Sequence, residues 1–171
     1  MIITVEDLKK QVSTALDDDL ITTKLDGIEA VIRAYTNNNF QLRAVRFEAH
    51  SKDKGLYGSP RFFSVGDTVQ ISASGVNDGL YTVTAVYDDH IEVDKPLYEA
   101  DCLVTKVQYP ADVVQCVVDL FRWKQERGDK VGIKSETLSR HSVTYEDSAT
   151  LYMGYPTGIL NGLKLYRKAR C

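Results

Sequence analysis

His90, Glu92 and Asp94 form a candidate metal site in the sequence. They alternate within one predicted strand, so their side chains point to the same face, and zinc accepts imidazole and carboxylate ligands. Strand neighbours two residues apart diverge, however, and the sequence indicates no fourth ligand. We therefore interpret the three as a solvated strand face beside the turn at Asp88 and Asp89, and we predict no metal and no other cofactor.

Ser139, His141 and Ser142 combine hydroxyl groups with an imidazole, as a serine nucleophile and its base would. Such catalysis also needs a third group that orients the base, and donors for the oxyanion. The sequence contains no GxSxG elbow and indicates no such set. We therefore predict that the chain is not an enzyme.

The three aspartates at residues 17–19 are a candidate Ca²⁺ site, because carboxylate oxygens are calcium ligands. They lack the alternating oxygen ligands and the fixed glycine of a calcium loop. Short acidic side chains also compete for backbone hydrogen bonds and favour helix ends. The run is better interpreted as a solvated junction between two helices.

The three cysteines, Cys102, Cys116 and Cys171, form no CxxC pair. An odd number of cysteines argues against a disulfide framework. We predict that Cys102 and Cys116 are small core residues and that Cys171 is a thiol at the chain end.

The 171 residues suffice for one domain with an insertion, and 43% of them are hydrophobic. No apolar run approaches the ~18 residues that a membrane span needs. The first residues lack the basic and apolar regions of a signal peptide, which predicts synthesis and assembly in the cytoplasm.

The net charge of -3 conceals an asymmetry along the chain. Residues 46–106 carry 6 basic and 10 acidic side chains, whereas residues 107–171 carry 10 basic and 7 acidic ones. No acid follows Asp147, so the chain ends in unopposed cations: Lys164, Arg167, Lys168 and Arg170.

The apolar spacing predicts a helix at each end of the first 42 residues. Thr4 can cap the first helix, whose apolar stripe extends from Val5 to Leu16. The second helix has the stripe Leu25, Ile28, Ile32 and Tyr35, and it ends at the asparagines of residues 37–39.

Near Leu42 the apolar period changes to about 2, which is typical of strands. A hairpin turn is predicted at Asn77, Asp78 and Gly79, because asparagine and glycine tolerate positive φ. The pattern predicts a five-stranded barrel or sandwich over residues 43–106, with strands near residues 43–49, 68–73, 80–87, 90–93 and 102–107.

Helical spacing returns at Pro110 and ends near Gly128, which predicts a third helix. Residues 132–145 are predicted to be extended or to form a hairpin, and Pro156 to open a brief helix through Leu163. The predicted fold is α+β: a small helical bundle (residues 1–42 and 107–131), an inserted β domain (43–106), and an extended hairpin with a C-terminal arm (132–171).

Residues 63–71 and 77–83 resemble the opening of SH3-like or OB-like barrels, some of which bind nucleic acid. Phosphate binding needs net positive charge along its track. Residues 46–106 carry 10 acidic and 6 basic side chains, which argues against nucleic-acid binding by this region. A nucleic-acid-binding or regulatory domain is nevertheless the alternative function.

Several further features follow one another in a characteristic order along the chain. The second helix ends in Tyr35-Thr36-Asn37-Asn38, a helix covers residues 110–123, and residues 132–145 read Gly-Ile-Lys-Ser-Glu-Thr-Leu-Ser-Arg-His-Ser-Val-Thr-Tyr. Gly154-Tyr155-Pro156, an apolar run and the basic residues 163–170 follow. This order resembles the head-tail connector, or adaptor, proteins of long-tailed bacteriophages over residues 1–42 and 107–171, with the β region as an insertion.

The resemblance implies a structural protein of the virion, located at the head-tail interface and assembled in the host cytoplasm. It implies a homo-oligomeric ring, a dodecamer in the virion, beneath the portal protein. That ring joins the DNA-filled head to a stopper or tail-completion protein. DNA passes through such a ring without sequence-specific binding, and no membrane is involved.

Residues 132–145 and 154–170 carry apolar and aromatic side chains among polar ones, a pattern typical of segments that a partner orders. We expect the portal or a neighbouring subunit to contact Ile133, Leu138, Val143, Tyr145, Tyr155, Leu163, Leu165, Tyr166, Arg167, Lys168 and Arg170. The competing interpretation of the basic end is a frayed, solvated terminus.

Overall fold

The computed structural model of the protein describes residues 1–127, 135–138, 141–144 and 151–169. The chain divides into two compact units. The helical unit comprises Met1–Asn38 and Pro110–Cys171, and the sheet unit comprises Asn39–Tyr109. The fold is α+β, and within the described residues no helix is both long enough and apolar enough to cross a membrane.

The helical unit begins with α1 (Val5–Gln11), which Thr4 caps by accepting a hydrogen bond from the Asp7 amide at 3.1 Å. The helix ends well before Leu16, where the apolar stripe had predicted its end. Val12 is already extended, with φ -132° and ψ 122°. The β-branched and hydroxyl side chains at residues 12–14 disfavour a further helical turn.

Helix α2 (Asp18–Thr36) is capped by Asp17, whose carboxylate accepts a hydrogen bond from the Leu20 amide at 2.8 Å. Three members of its predicted stripe, Leu25, Ile28 and Ile32, are almost inaccessible, whereas Tyr35 is only half-buried. Helix α3 (Ala111–Arg127) contributes the facing apolar side chains Val113, Cys116, Val117, Leu120 and Phe121. These stripes form the core of the helical unit.

The sheet unit consists of β1 (Gln41–Gly58), β2 (Thr68–Ser72), β3 (Gly79–Val86) and β4 (His90–Val107) in one antiparallel sheet. The strand order is β1-β4-β2-β3, and β3 also pairs with β4. The strands predicted at residues 90–93 and 102–107 are the two ends of β4, so the sheet unit has four strands rather than the predicted five. The closed barrel stays a prediction.

Pro96 lies within β4, where a proline removes a donor from the hydrogen-bond ladder, and it is tolerated for a local reason. Between the pairs Asp53↔Leu97 and Gly55↔Glu92 the ladder with β1 is irregular. A missing proline N–H costs little at such an irregularity, so β4 continues through it.

The turn predicted at residues 77–79 is a longer loop that joins β2 to β3. Asp78 closes it by accepting hydrogen bonds from the Ser74 amide and hydroxyl at 2.9 and 2.7 Å. Asn77 is buried, and its side-chain amide bonds the backbone N–H and C=O of Tyr98 at 2.9 and 2.8 Å. Asn77 therefore anchors the loop on β4 instead of supplying a positive φ.

Toward the chain end, β5 (Ser135–Leu138) and β6 (His141–Thr144) pair as an antiparallel hairpin. The two-residue strands β7 (Leu151–Tyr152) and β8 (Tyr155–Pro156) precede α4 (Thr157–Leu160) and a 3-10 helix (Asn161–Tyr166). The brief helix predicted from Pro156 through Leu163 is present, but helical structure continues to Tyr166, so the prediction of an extended arm was wrong over residues 164–166. Leu160 and Leu163 are three residues apart and both bury in the helical unit, which stabilises helical structure here.

Candidate functional site

The terminal segment, residues 157–169, returns to the C-terminal end of α2. Asn37 ends α2 in the left-handed conformation, with φ 49°. This cap leaves carbonyls of the last turn without partners in the helix, and Thr36 C=O accepts the Lys168 N–H at 2.8 Å. The side-chain amides of Asn37 and Asn38 donate to the carbonyls of Ala169 and Tyr166 at 2.9 and 3.1 Å. The segment is thus tied to α2 by backbone carbonyls and amides rather than by apolar contacts alone.

Arg167 lies over an aromatic pair beside this junction. Its guanidinium carbon is 5.2 Å from the ring centroid of Tyr35. Tyr152, on β7, meets Tyr35 edge-to-face with centroids 5.3 Å apart. A cation over an aromatic face is attracted by the ring quadrupole, by about 0.5–1 kcal/mol at an exposed site.

These side chains surround a pocket of about 640 Å³. We call Tyr35, Tyr152, Arg167 and Lys168 the docking surface. The described lining holds two cationic groups and no carboxylate: Ala34, Tyr35, Asn37, Tyr152, Arg167, Lys168 and Ala169. Arginine binds carboxylates in a bidentate manner, so the chemistry of the pocket suits an acidic side chain.

A second contact fixes the 3-10 helix to the start of α3. The Tyr166 hydroxyl lies 2.9 and 2.8 Å from the two carboxylate oxygens of Asp112. Hydrogen bonding to this carboxylate raises the pKa of the Tyr166 phenol. Leu165, the preceding residue, is left 88% exposed. A fixed backbone therefore presents a fully solvated leucine.

The structure separates the sequence-predicted contact residues into three groups. Arg167 and Lys168 belong to the docking surface, whereas the Tyr166 hydroxyl contacts Asp112 and Leu165 is exposed. Tyr155 lies apart, half-buried against Trp123 and Lys124 of α3, and this burial raises the pKa of its phenol. Leu163 is 1% exposed, so it belongs to the core of its own unit rather than to a surface.

The remaining predicted contacts cannot be placed. Ile133, Tyr145 and Arg170 lie outside the described residues, as do the side chains of Leu138 and Val143. Ser139 of the hydroxyl-imidazole group and Cys171 also lie outside them, and so do the side chains of His141 and Ser142.

Sequence reasoning missed four participants in the site: Tyr35, Asn37, Asp112 and Tyr152. Tyr35 was assigned to the core stripe of α2, and Asn37 only to the helix end. The usable signal was the asparagine pair at the end of α2, because a helix end leaves backbone carbonyls unpaired and asparagine side chains add amide donors that a later segment can meet. Nothing local marks Tyr152 or Asp112.

The candidate metal residues point to different partners. The His90 ring is stacked between Tyr57 and Tyr87, with centroids 4.7 and 4.3 Å away, and its Nδ1 lies 2.7 Å from Asp89. Asp94 accepts a hydrogen bond from the Thr82 amide at 3.0 Å. Across the described part of the chain no group of three or more His, Cys, Asp or Glu side chains could hold a metal ion.

Other polar and sulfur-containing candidates have structural roles. Asp17 caps α2, and Asp18 pairs with Lys9. Cys102 and Cys116 are buried, as predicted, and burial raises the pKa of their thiols to about 11 and about 12. Both are therefore protonated at neutral pH and poor nucleophiles.

Comparison with known proteins assigns no family to the chain. No protein-family model matches the chain, and no curated protein matches it.

Proposed function

We propose that the protein is a head-tail connector subunit of a long-tailed bacteriophage, a structural part of the virion rather than an enzyme. Its copies form a ring beneath the portal, through which DNA passes, and the ring joins the head to a stopper or tail protein. The observation that carries the proposal is the terminal segment, which presents exposed side chains of Leu165, Arg167 and Lys168, and the sequence resemblance to connector proteins supports it.

The chemistry of the terminal segment supports docking on an acidic protein surface. Leu165 is an exposed apolar anchor, and the neighbouring side chains of Lys164, Arg167 and Lys168 are exposed cations. Apolar anchors supply much of the binding energy of an interface, while surrounding charges set orientation and association rate.

The hydrogen bonds to α2 and α3 favour such docking for an entropic reason. A flexible arm loses conformational freedom when it binds, and a preordered one loses less. Because the segment is already held at Thr36, Asn37 and Asp112, it can present Leu165 without a large ordering cost.

The sheet unit supports the proposal less directly, as an insertion between α2 and α3. A closed ring needs two different, complementary faces on each subunit. An additional unit of residues 39–109 enlarges the surface available for one of them.

The test is charge reversal on the docking surface. We expect the double variant Arg167→Glu/Lys168→Glu to weaken binding to the cognate portal protein, with a loss that shrinks as salt rises. Both side chains are exposed, so the fold is expected to persist. Truncation after Tyr155 is a poorer test, because it also removes the buried Leu160 and Leu163.

Lys52→Glu/Lys54→Glu is the matched control, since it makes the same change in net charge at two exposed lysines of the sheet unit. We expect this control to bind portal as the unmodified protein does. Equal affinity of the docking-surface variant and the control would move the portal contact away from the terminal segment.

A further inference from the structure

A loop of the sheet unit displays an aromatic side chain to solvent. Phe62 is 80% exposed, and Val65, three residues later, is 66% exposed. Phe62 also has a φ of +69°, a region in which a bulky side chain is a rare outlier. Such conformations persist where surrounding contacts impose them, and they concentrate at functional positions. We call residues 59–67 the Phe62 loop.

Hydrogen bonds, an ion pair and a buried aromatic contact hold the Phe62 loop in this conformation. The Lys106 ammonium donates to the Phe62 carbonyl at 3.1 Å and to the Asp67 carboxylate at 2.6 Å. Asp67 accepts a further hydrogen bond from the Ser64 amide at 2.7 Å. Phe63 is buried against Phe47, with ring centroids 5.4 Å apart. The exposed ring of Phe62 is therefore presented by a clamped backbone rather than by a mobile one.

Rigid presentation makes Phe62 suitable as a binding anchor. A large apolar side chain in a preformed loop gains burial on association and loses little conformational freedom. An isolated chain leaves this ring in water, so the chemistry points to a pocket on another molecule.

The helical unit contains a pocket of the required kind. We call it the Leu16 pocket; its volume is about 300 Å³, and it is lined by Ala15, Leu16, Lys24, Phe121, Lys124 and Gln125. Its apolar wall accepts a phenyl ring, and the Lys24 ammonium is attracted to the face of such a ring, whereas the Lys124 ammonium already lies 5.7 Å from the ring centroid of Tyr155. Among the described residues that line it, no carboxylate competes for the Lys24 ammonium.

We propose that Phe62 of one copy inserts into the Leu16 pocket of a second copy. Donor and acceptor are different surfaces of the chain, so the contact is head-to-tail, and its repetition gives a closed ring or a filament. In the proposed connector, this contact would join neighbouring subunits. Only its closure into a ring rests on the proposed function. The loop and the pocket are observed independently of any portal.

The first experiment measures self-association of the full-length protein without portal, by sedimentation velocity across a concentration series. Phe62→Asn removes the ring while keeping a residue that tolerates positive φ. We expect this variant to self-associate roughly 30-fold more weakly, as for loss of an anchor residue. Tyr98→Asn is the matched control, since it removes an aromatic ring that is 73% exposed elsewhere in the sheet unit, and we expect no change.

The second experiment tests which surfaces meet. Phe62→Cys and Leu16→Cys are each combined with Cys171→Ser, which removes the thiol at the chain end, and the two proteins are purified separately and then mixed under mild oxidation. We expect a disulfide-linked dimer from the mixture and not from either variant alone, whereas Phe62→Cys dimers alone would indicate a symmetric contact and overturn the proposal. A protein that stays monomeric at all concentrations, or an unaffected Phe62→Asn variant, would also overturn it. Portal binding is measured in a separate experiment. Failure of the self-association proposal would therefore not contradict the proposed portal contact at the docking surface.

Discussion

Phe62 in the sheet unit and Leu165 in the helical unit are both highly exposed apolar side chains, yet the two units present them by different means. A strained backbone and a partly buried Lys106–Asp67 ion pair hold the Phe62 loop. Hydrogen bonds to the end of α2 and a tyrosine-carboxylate contact hold the segment around Leu165. An exposed apolar side chain is thus held in place by a long-range ion pair in the sheet unit, and by hydrogen bonds to the end of a helix in the helical unit.

Separability of the two units is the largest effect that the comparison predicts. The ends of the sheet unit are adjacent, since the Gln108 N–H donates to the Phe40 carbonyl at 2.9 Å. We expect replacement of residues 39–109 by a short Gly/Ser linker to leave a helical protein that unfolds cooperatively, because closure costs rise only slowly with loop length. Circular dichroism and fluorescence of Trp123, the single tryptophan, measure this. A deletion variant without a cooperative transition would contradict it.

Leu163→Ala tests whether the terminal segment belongs to the core of the helical unit. Leu163 is 1% exposed, and removal of a fully buried leucine side chain costs about 2–5 kcal/mol of unfolding free energy. Urea unfolding followed by Trp123 fluorescence gives the value. Leu165→Ala is the control and should change stability by less than about 0.5 kcal/mol. Similar losses for the two variants would mean that the segment is not packed as described.

Lys106→Met tests the Lys106–Asp67 ion pair. It leaves the Asp67 carboxylate without its ion pair and the Phe62 carbonyl without that donor, so we expect a loss of about 1–3 kcal/mol. Hydrogen exchange of residues 59–67 should accelerate in this variant. The double variant Lys106→Met/Asp67→Asn should recover part of the loss, because it removes the uncompensated charge. No recovery would indicate that the lysine acts mainly through packing.

The sequence predicts the parts of both units that local chemistry determines. Thr4 is found as a cap because a short oxygen side chain meets an amide three residues later. The aspartates at residues 17–19 were predicted only as a helix junction, and within it Asp17 proves to be the cap of α2. Asn37 is found as a helix end because it tolerates αL. The strands of the sheet unit are found from their period, although the continuity of β4 through Pro96 depends on its irregular ladder with β1.

Contacts between residues far apart in the chain account for what sequence reasoning missed. Asn77 resembles a turn residue until its side chain meets Tyr98, 21 residues away. The Phe62 loop depends on Lys106, 44 residues away, and the docking surface on Tyr35 and Arg167 from opposite ends of the chain. A periodic pattern carries no information on such pairs.

His50 gives the smallest expected effect, a pH dependence of the sheet unit. Hydrogen bonds to Asp101, and then to Glu99, raise the pKa of His50 above its usual value of 6.5. A raised pKa in the folded state means that this stabilisation is fully present below about pH 6.5 and is lost as the pH rises through the folded-state pKa. We expect the stability difference between the unmodified protein and His50→Gln to shrink from about pH 6 to about pH 8. A constant difference over that range would contradict the assignment.

Negative-stain electron microscopy of the purified protein mixed with its cognate portal tests the connector proposal most directly. We predict a joint particle in which a ring of this protein lies coaxially on one end of the portal. The Arg167→Glu/Lys168→Glu variant should leave the portal bare, while the Lys52→Glu/Lys54→Glu control forms the same joint particle. Bare portal with the unmodified protein, at concentrations where both are folded, would contradict the proposed function.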